Sequence, residues 1–209
     1  IYIHAKPELR KLLTAQLRQK RKTRGNVRRG ADKRTTIKDL VSIDERPPEV
    51  DGRLVPGHWE GDLIIGKDHN SAIATLNERS SRTVIIMPLK KRDAKSVRLA
   101  FQKEFKSIPD QMKKSLTYDR GSEMAEHKTF TKNTKIKVYF AHPYSPWERP
   151  TNENSNGLIR DYFHKGTDFK LVSVAELKRV QNKLNERPRK VLDMCTPKEV
   201  FEKFIMEAI

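Results

Sequence analysis

One cysteine, Cys195, in 209 residues leaves no partner for an internal disulfide and fits a reducing cytoplasm. No apolar run approaches the roughly 18–20 residues that cross a bilayer, so no membrane partner is expected. His58, His127, His142 and His164 do not stand at a zinc-ligand spacing with Cys195, which sets a structural zinc aside. Internal repeats are absent. So are an initiating Met and the apolar core and cleavage site of a signal peptide, and a chain starting Ile1-Tyr-Ile-His reads as a piece of something longer. Negative charge is also scarce. Only 27 Asp and Glu stand against 44 Lys and Arg, a net charge of +17. With an isoelectric point near 10.0, that surface suits a polyanion, nucleic acid before an anionic membrane.

Hydrophobic residues make up 35% and charged residues 34%, enough apolar material for one domain with a core plus an appendage. Residues 1–45 have the texture of the appendage. Leu9, Leu12, Leu13 and Leu17 share one helical face, and Lys20, Arg21, Lys22, Arg24, Arg28, Arg29, Lys33 and Arg34 follow with only Asp32 to offset them. The segment is expected to be a partly helical arm on the DNA backbone, with Arg28, Arg29, Lys33 and Arg34 among its contacts. Residues 46–56, opened by Glu45-Arg-Pro-Pro-Glu49, are expected to form an extended linker. Residues 57–209 are expected to be the core.

Within that core, Trp59–Ile65, Ser71–Asn77 and Thr83–Leu89 read as strands, the last two separated by the turn-like Glu78-Arg-Ser-Ser81. Ala94, Val97, Phe101, Phe105 and Ile108 recur at helical spacing. A strand at Leu116–Asp119, a helix at Met124–Thr131 and a strand at Lys137–Phe140 come next. The proline-punctuated loop His142–Pro150 leads to a helix over Asn152–Phe163. Ser173 with Glu176, and Thr196 with Glu199, are capping boxes that open two more helices. This order suits an α/β fold of the ribonuclease-H type: a mixed five-stranded sheet flanked by helices, with strands one and four side by side.

In so basic a chain, carboxylates need a reason. Asp62 lies on the first strand, on the face opposite Trp59, Gly61, Leu63 and Ile65, and Asp119 ends the fourth, just before the Arg120-Gly121 turn where α/β sheets often bind ligands. Glu153 opens a helix, with Arg160 two turns along the same face. Phosphodiester cleavage can use two Mg²⁺ ions held by such hard oxygen ligands. An acid on the metal and a cation on the neighbouring phosphate would fit, although an ordinary helix-face pair would show the same spacing. Glu123 is a weaker ligand candidate. Glu60 shares the face of Asp62 and reads as a solvated strand-end charge. Trp147 could wedge against DNA bases or pack over the helix. Lys165, Lys170, Arg187, Arg189 and Lys190 could track a DNA backbone or be solvated.

The segments Pro56-Gly-His-Trp-Glu-Gly-Asp-Leu-Ile-Ile-Gly66, Tyr118-Asp-Arg-Gly-Ser-Glu-Met-Ala-Glu-His127, Tyr144-Ser-Pro-Trp147 and Thr151-Asn-Glu-Asn-Ser-Asn-Gly-Leu-Ile-Arg160 resemble bacterial insertion-sequence transposases of the IS-thirty family. Tyr162–Phe169 and Asn185–Lys190 extend the likeness, which runs from about Asp44 to the C-terminus. The resemblance implies a retroviral-integrase-like core with a DDE triad of Asp62, Asp119 and Glu153. The spacing agrees, for 33 residues, 120 through 152, lie between the last two. It also implies Arg160 as the basic residue that follows the Glu, Mg²⁺ (or Mn²⁺) as cofactor and a nucleoid-associated, cytoplasmic location. Cleavage at transposon terminal repeats, strand transfer into target DNA and work as a homo-oligomer are implied as well. His142 stands where the family usually has Asp, Pro150 where Gly is usual and His164 where Pro is usual. A catalytically decayed DNA-binding remnant and a nuclease without strand transfer are the alternative readings.

Overall fold

The computed structural model describes residues 37–208. The expected basic arm, with Arg28, Arg29, Lys33, Arg34 and the Leu9–Leu17 face, lies outside the described residues.

The segment expected as an extended linker instead packs on the sheet. Within residues 46–56 a one-turn helix α1 (Glu49–Gly52) follows Pro48 and Val50 is buried. Just before them, at the end of the segment expected as the arm, Ser42 bridges to Phe140 in parallel. The prolines do not extend the chain here, because the backbone angles of Pro48 suit the start of a helical turn. The Arg46 guanidinium then ties the segment inward, donating to Thr117 Oγ1 at 3.0 Å and to Asp51 Oδ1 at 2.5 Å.

β1 (His58–Ile65), β2 (Ala72–Glu78) and β3 (Val84–Pro88) form an antiparallel meander. Helix α2 (Ala94–Phe105) is capped by Asp93, whose carboxylate accepts from Ser96 N–H, and it buries Val97, Phe101 and Phe105 at four-residue steps. Ile108 lies beyond the helix end but still in the same core. Strand β4 (Ser115–Tyr118), helix α3 (His127–Thr134) and strand β5 (Lys137–Phe140) follow. The sheet order is β3-β2-β1-β4-β5, with β4 parallel to both β1 and β5. The expected neighbours, strands one and four, are therefore hydrogen-bonded at the centre of the sheet.

Helices α4 (Pro150–Tyr162), α5 (Val174–Asn185) and α6 (Pro197–Glu207) complete the fold. Helix α4 starts two residues earlier than periodicity suggests, because Pro150 occupies a first-turn position where a missing N–H does no harm. The expected capping box at Thr196 and Glu199 forms in both directions. One face of the sheet buries Trp59, Leu63, Leu76, Leu116 and Phe140 against α2 and α3, with Phe201 and Phe204 of α6 packed on it. The other buries Ile64, Ile73, Val84 and Ile86 under Leu158 and Ile159 of α4 and Leu177, Val180 and Leu184 of α5. Strand β3 is a sheet edge, and α5 covers it: Asn185 Oδ1 accepts from Val84 N–H and Gln181 Oε1 from Ile86 N–H, at 2.9 and 3.0 Å. Among the described residues, no helix is long and apolar enough to cross a membrane.

Candidate active site

Pairing between β1 and β4 matches His58 with Ser115, Trp59 with Leu116 and Glu60 with Thr117. Carried two residues on, the same offset sets Asp62 beside Asp119. Gly61 makes room for this junction, because a Cβ there would lie 2.8 Å from the Tyr118 ring and 3.2 Å from Leu116. Bulk at that position would force strand and ring apart.

The two aspartates converge on one cation. Arg149, from the turn just before α4, places Nη1 3.7 Å from Asp62 Oδ2 and Nη2 3.6 Å from Asp119 Oδ2. The guanidinium is buried, and its Nη1 also donates to the Gly61 carbonyl at 3.1 Å. Asp62 accepts from its neighbour Leu63 N–H at 2.8 Å and from Asn156 Nδ2 at 2.9 Å, while Asp119 accepts from Gly121 N–H at 2.9 Å. Burial is the main force on Asp62, pushing its carboxyl up to about 7. The attraction of Arg149 opposes that rise, and the fields of Asp119 and Glu153 reinforce it. Burial works against the charge of Arg149 too, but Asp62 and Asp119 outweigh it and hold that group above its ordinary value. Contacts of 3.6–3.7 Å are well beyond the roughly 2.7–2.9 Å of a tight charge-assisted bond, and Arg149 Nε is buried with no hydrogen-bond partner. The arginine supplies charge to the pair without clasping it.

Helix α4 is laid against this junction by a row of amides. Asn152 and Asn156, one turn apart, face the sheet. Asn152 Oδ1 accepts from Asn77 Nδ2 at 2.6 Å, and Asn156 Oδ1 accepts from Thr75 Oγ1 at 3.1 Å. The main-chain N–H of Asn152 donates to Glu60 Oε2 at 2.8 Å. Glu60 is fully buried and ion-paired to the buried Arg79. The solvated role expected for Glu60 is thus corrected: α4 covers the face that Glu60 and Asp62 share.

Glu153 sits in the first turn of α4 on its exposed side. Its field reaches Asp62 and Arg149, but among the described residues no three carboxylate, imidazole or thiolate groups are gathered to hold a metal ion. The donor set still fits a hard divalent cation, because two carboxylates from different strands already converge on one positive charge. Glu123 stands nearby, its carboxyl raised by burial and by Asp119.

The remaining candidates scatter. Arg160 donates to the carbonyls of Ile65 at 2.6 Å and of Phe163 and His164 at 3.4 Å, so its guanidinium braces the end of α4 against β1. Lys165 is exposed on the turn beyond α4. Trp147, in a 3-10 turn at Pro146–Glu148, is 71% exposed. Arg149, Asn152 and Asn156 had no assigned role in the sequence. The signal was a cation four residues before Glu153 and two asparagines at helical spacing within Thr151–Gly157.

His142 is held on both sides, with Nδ1 2.8 Å from Glu148 Oε1 and Nε2 3.0 Å from Asp44 Oδ2. The hydrogen bond and charge of Glu148, then Asp44, raise its pKa above the ordinary 6.5. A raised pKa means the tie is complete below 6.5 and fades as pH climbs through the folded value. Trp147 emission should therefore change as pH rises above about 6.5, and His142→Ala should flatten that change. Trp59 is buried with Nε1 bonded to Met112 O, which leaves Trp147 as the responsive one of two tryptophans. Emission that is constant through that range in the unaltered protein would count against the tie.

The five-stranded mixed sheet, with Asp62 within β1 and Asp119 just past the end of the adjacent β4, has the form of an integrase-type core, and residues 53–146 match the integrase core domain family. The catalytic core domain of BIV integrase superposes with a TM-score of 0.56 at 20% identity, covering 71% of this chain and 95% of that one. A simian T-cell lymphotropic virus intasome structure gives 0.59 at 15%, covering 71% and 55%. These likenesses carry the fold. The transposase for insertion sequence element IS1086 of Cupriavidus metallidurans is 46% identical over 200 residues, 96% of this chain and 59% of that relative. Transposase InsI for element IS30C of Escherichia coli K12 is 45% identical over 206 residues, 97% and 54%. Over the length it spans, between half and three fifths of these relatives, the chain is similar to insertion-sequence transposases.

Proposed function

We propose that this chain is the catalytic part of a DNA transposase, cutting at the ends of its element and joining the freed 3′-hydroxyl to target DNA. Asp62, Asp119 and Glu153 are its acidic triad. The supporting observation is the convergence of Asp62 and Asp119 on the Arg149 guanidinium, beside the helix whose first turn carries Glu153. Mg²⁺ or Mn²⁺ bound by these carboxylates would supply an activated oxygen nucleophile and neutralise charge on the leaving oxygen. The protein's own part is to keep that site rigid. Asn156 orients Asp62, Gly121 N–H orients Asp119, and the Glu60–Asn152 contact fixes the helix turn that carries Glu153. Arg149 keeps the aspartates from repelling one another. The net charge of +17 draws DNA, and a homo-oligomer pairs two ends.

Protein incubated with Mg²⁺ and duplex carrying the element's terminal repeats should nick it, and Glu153→Gln should abolish nicking while leaving affinity for that duplex within about 2-fold. Full nicking by the variant would remove Glu153 from the site. Unaltered protein that binds but never cuts, even with the rest of a full-length relative restored, would favour the decayed remnant. Cutting without joining would favour the plain nuclease.

A further inference from the structure

Two grooves meet at the start of α4, with Pro150 in the lining of both. One, about 260 Å³, is lined by Arg53, Arg82, Arg189 and the helix residues Thr151, Asn154 and Ser155. The other, about 520 Å³, is lined by Arg46, Arg53, Arg79 and Trp147. Arg53 and Pro150 belong to both, so the two form one track. The acids along it are already engaged: Asp51 pairs with Arg46, Glu148 with His142, and Asp44 with Ser42 and His142. Arg53 has no ion pair among the described residues, and burial and the charge of Arg79 press its pKa down against the weaker pull of Glu60 and Asp51. Arg82, held to Thr151 Oγ1 at 3.2 Å, has a buried Nε without a partner; burial, then Arg53 and Arg79, lower its pKa, and Glu60 and Glu78 offset part of that fall. Like charges crowded this way are relieved by an anion, and the N-terminus of a 13-residue helix adds its own partial positive charge. At one end of the track stands a largely exposed indole.

The geometry points to a path for a single DNA strand: phosphates on Arg53 and Arg82, one unpaired base stacked on Trp147. This rests on the DNA-cutting reading above, and it adds that the strand flanking the cut leaves the site along the first turn of α4. Guanidiniums for the backbone and an aromatic face for a base are the parts by which proteins hold single strands without regard to sequence. A duplex would offer its phosphates to the arginines but no free base to the tryptophan.

The test uses two hairpin oligonucleotides of the same length, one blunt and one ending in an unpaired tail. The tailed hairpin should quench Trp147 emission, with buried Trp59 as internal reference, and the blunt one should not. Arg53→Ala/Arg82→Ala should bind the tailed hairpin about 10-fold more weakly, and the slope of log affinity against log salt should flatten by about 1.4 for two lost single-strand phosphates. Arg53→Ala alone breaks no hydrogen bond or ion pair among the described residues, so it should fold normally and flatten the slope by about half as much. Equal quenching by both hairpins would refute the single-strand commitment. Unchanged affinity and slope in both variants would refute the track. Neither outcome touches the nicking result with Glu153→Gln, whereas a protein that binds neither hairpin would overturn the DNA reading itself.

Discussion

Asp62→Asn should abolish nicking by at least about 1,000-fold, a loss of roughly 4 kcal/mol in transition-state stabilisation, and yet leave the metal-free protein as stable as before or more so. The two halves of that result come from one cause. Only 18% of the Asp62 side chain is exposed, and burial lifts its carboxyl to about 7. At pH 8 the folded chain therefore holds a charge that the unfolded chain carries more easily, at a cost on the order of 2–4 kcal/mol. An asparagine removes that charge. The pull of Arg149 is already contained in that cost, but an amide nitrogen set against Asn156 Nδ2 cannot accept its bond, which takes back part of the gain. The net expectation is a rise of about 1 kcal/mol, or about 2–4 °C in melting temperature for a domain of this size. A residue kept for stability behaves the other way. A melting temperature that drops by several degrees, with nicking reduced only in proportion to the folded fraction, would make Asp62 a structural acid and remove it from the chemistry.

Much of this arrangement was legible in the sequence, and what was not shares a physical character. The strands around Asp62 and Asp119 announced themselves because Trp59–Ile65 and Leu116–Tyr118 are short, apolar and bounded by glycine or charge, and strand order alone brought them side by side. Helix α2 was readable from Val97, Phe101 and Phe105, since period and burial agree there. Glu60 and Arg149 were misjudged or passed over for another reason. Alternation puts Glu60 on the face of Asp62, but whether that face meets water depends on a helix some 90 residues later in the chain. Likewise, Arg149 was passed over, because nothing local shows that its guanidinium reaches back to the Gly61 carbonyl on β1. Local pattern reports which way a side chain points. It does not report what arrives to cover it. Glu153 illustrates the remaining step, for motif and spacing single it out while the fold leaves it on the exposed side of α4.

Glu60→Ala should be among the most damaging substitutions at the described residues that remove neither a triad carboxylate nor an apolar core residue. The carboxylate of Glu60 is fully buried and serves two clients: the Arg79 guanidinium, itself only 3% exposed, and the Asn152 N–H in the first turn of α4. Truncation removes the close partner of a buried cation, leaving it a bond from Nη2 to Val50 O at 3.2 Å and a 4.0 Å ion pair to Asp51, and leaves a buried backbone donor open. Breaking one side of a buried pair costs about 3–5 kcal/mol. That corresponds to roughly 10 °C or more of melting temperature. Glu60→Gln separates the two duties. Its amide oxygen can still accept from Asn152 N–H, but it cannot neutralise Arg79, so the loss should be smaller, about 1–3 kcal/mol, and the protein should remain folded at 25 °C. In that folded variant the start of α4 is less firmly held, and nicking should fall about 10-fold or more while duplex affinity stays near normal, because Glu60 touches no DNA in the proposed site. A Glu60→Ala protein that melts within about 1 °C of the original, or a Glu60→Gln protein that nicks at full rate, would show that α4 is positioned by its asparagines and apolar face alone.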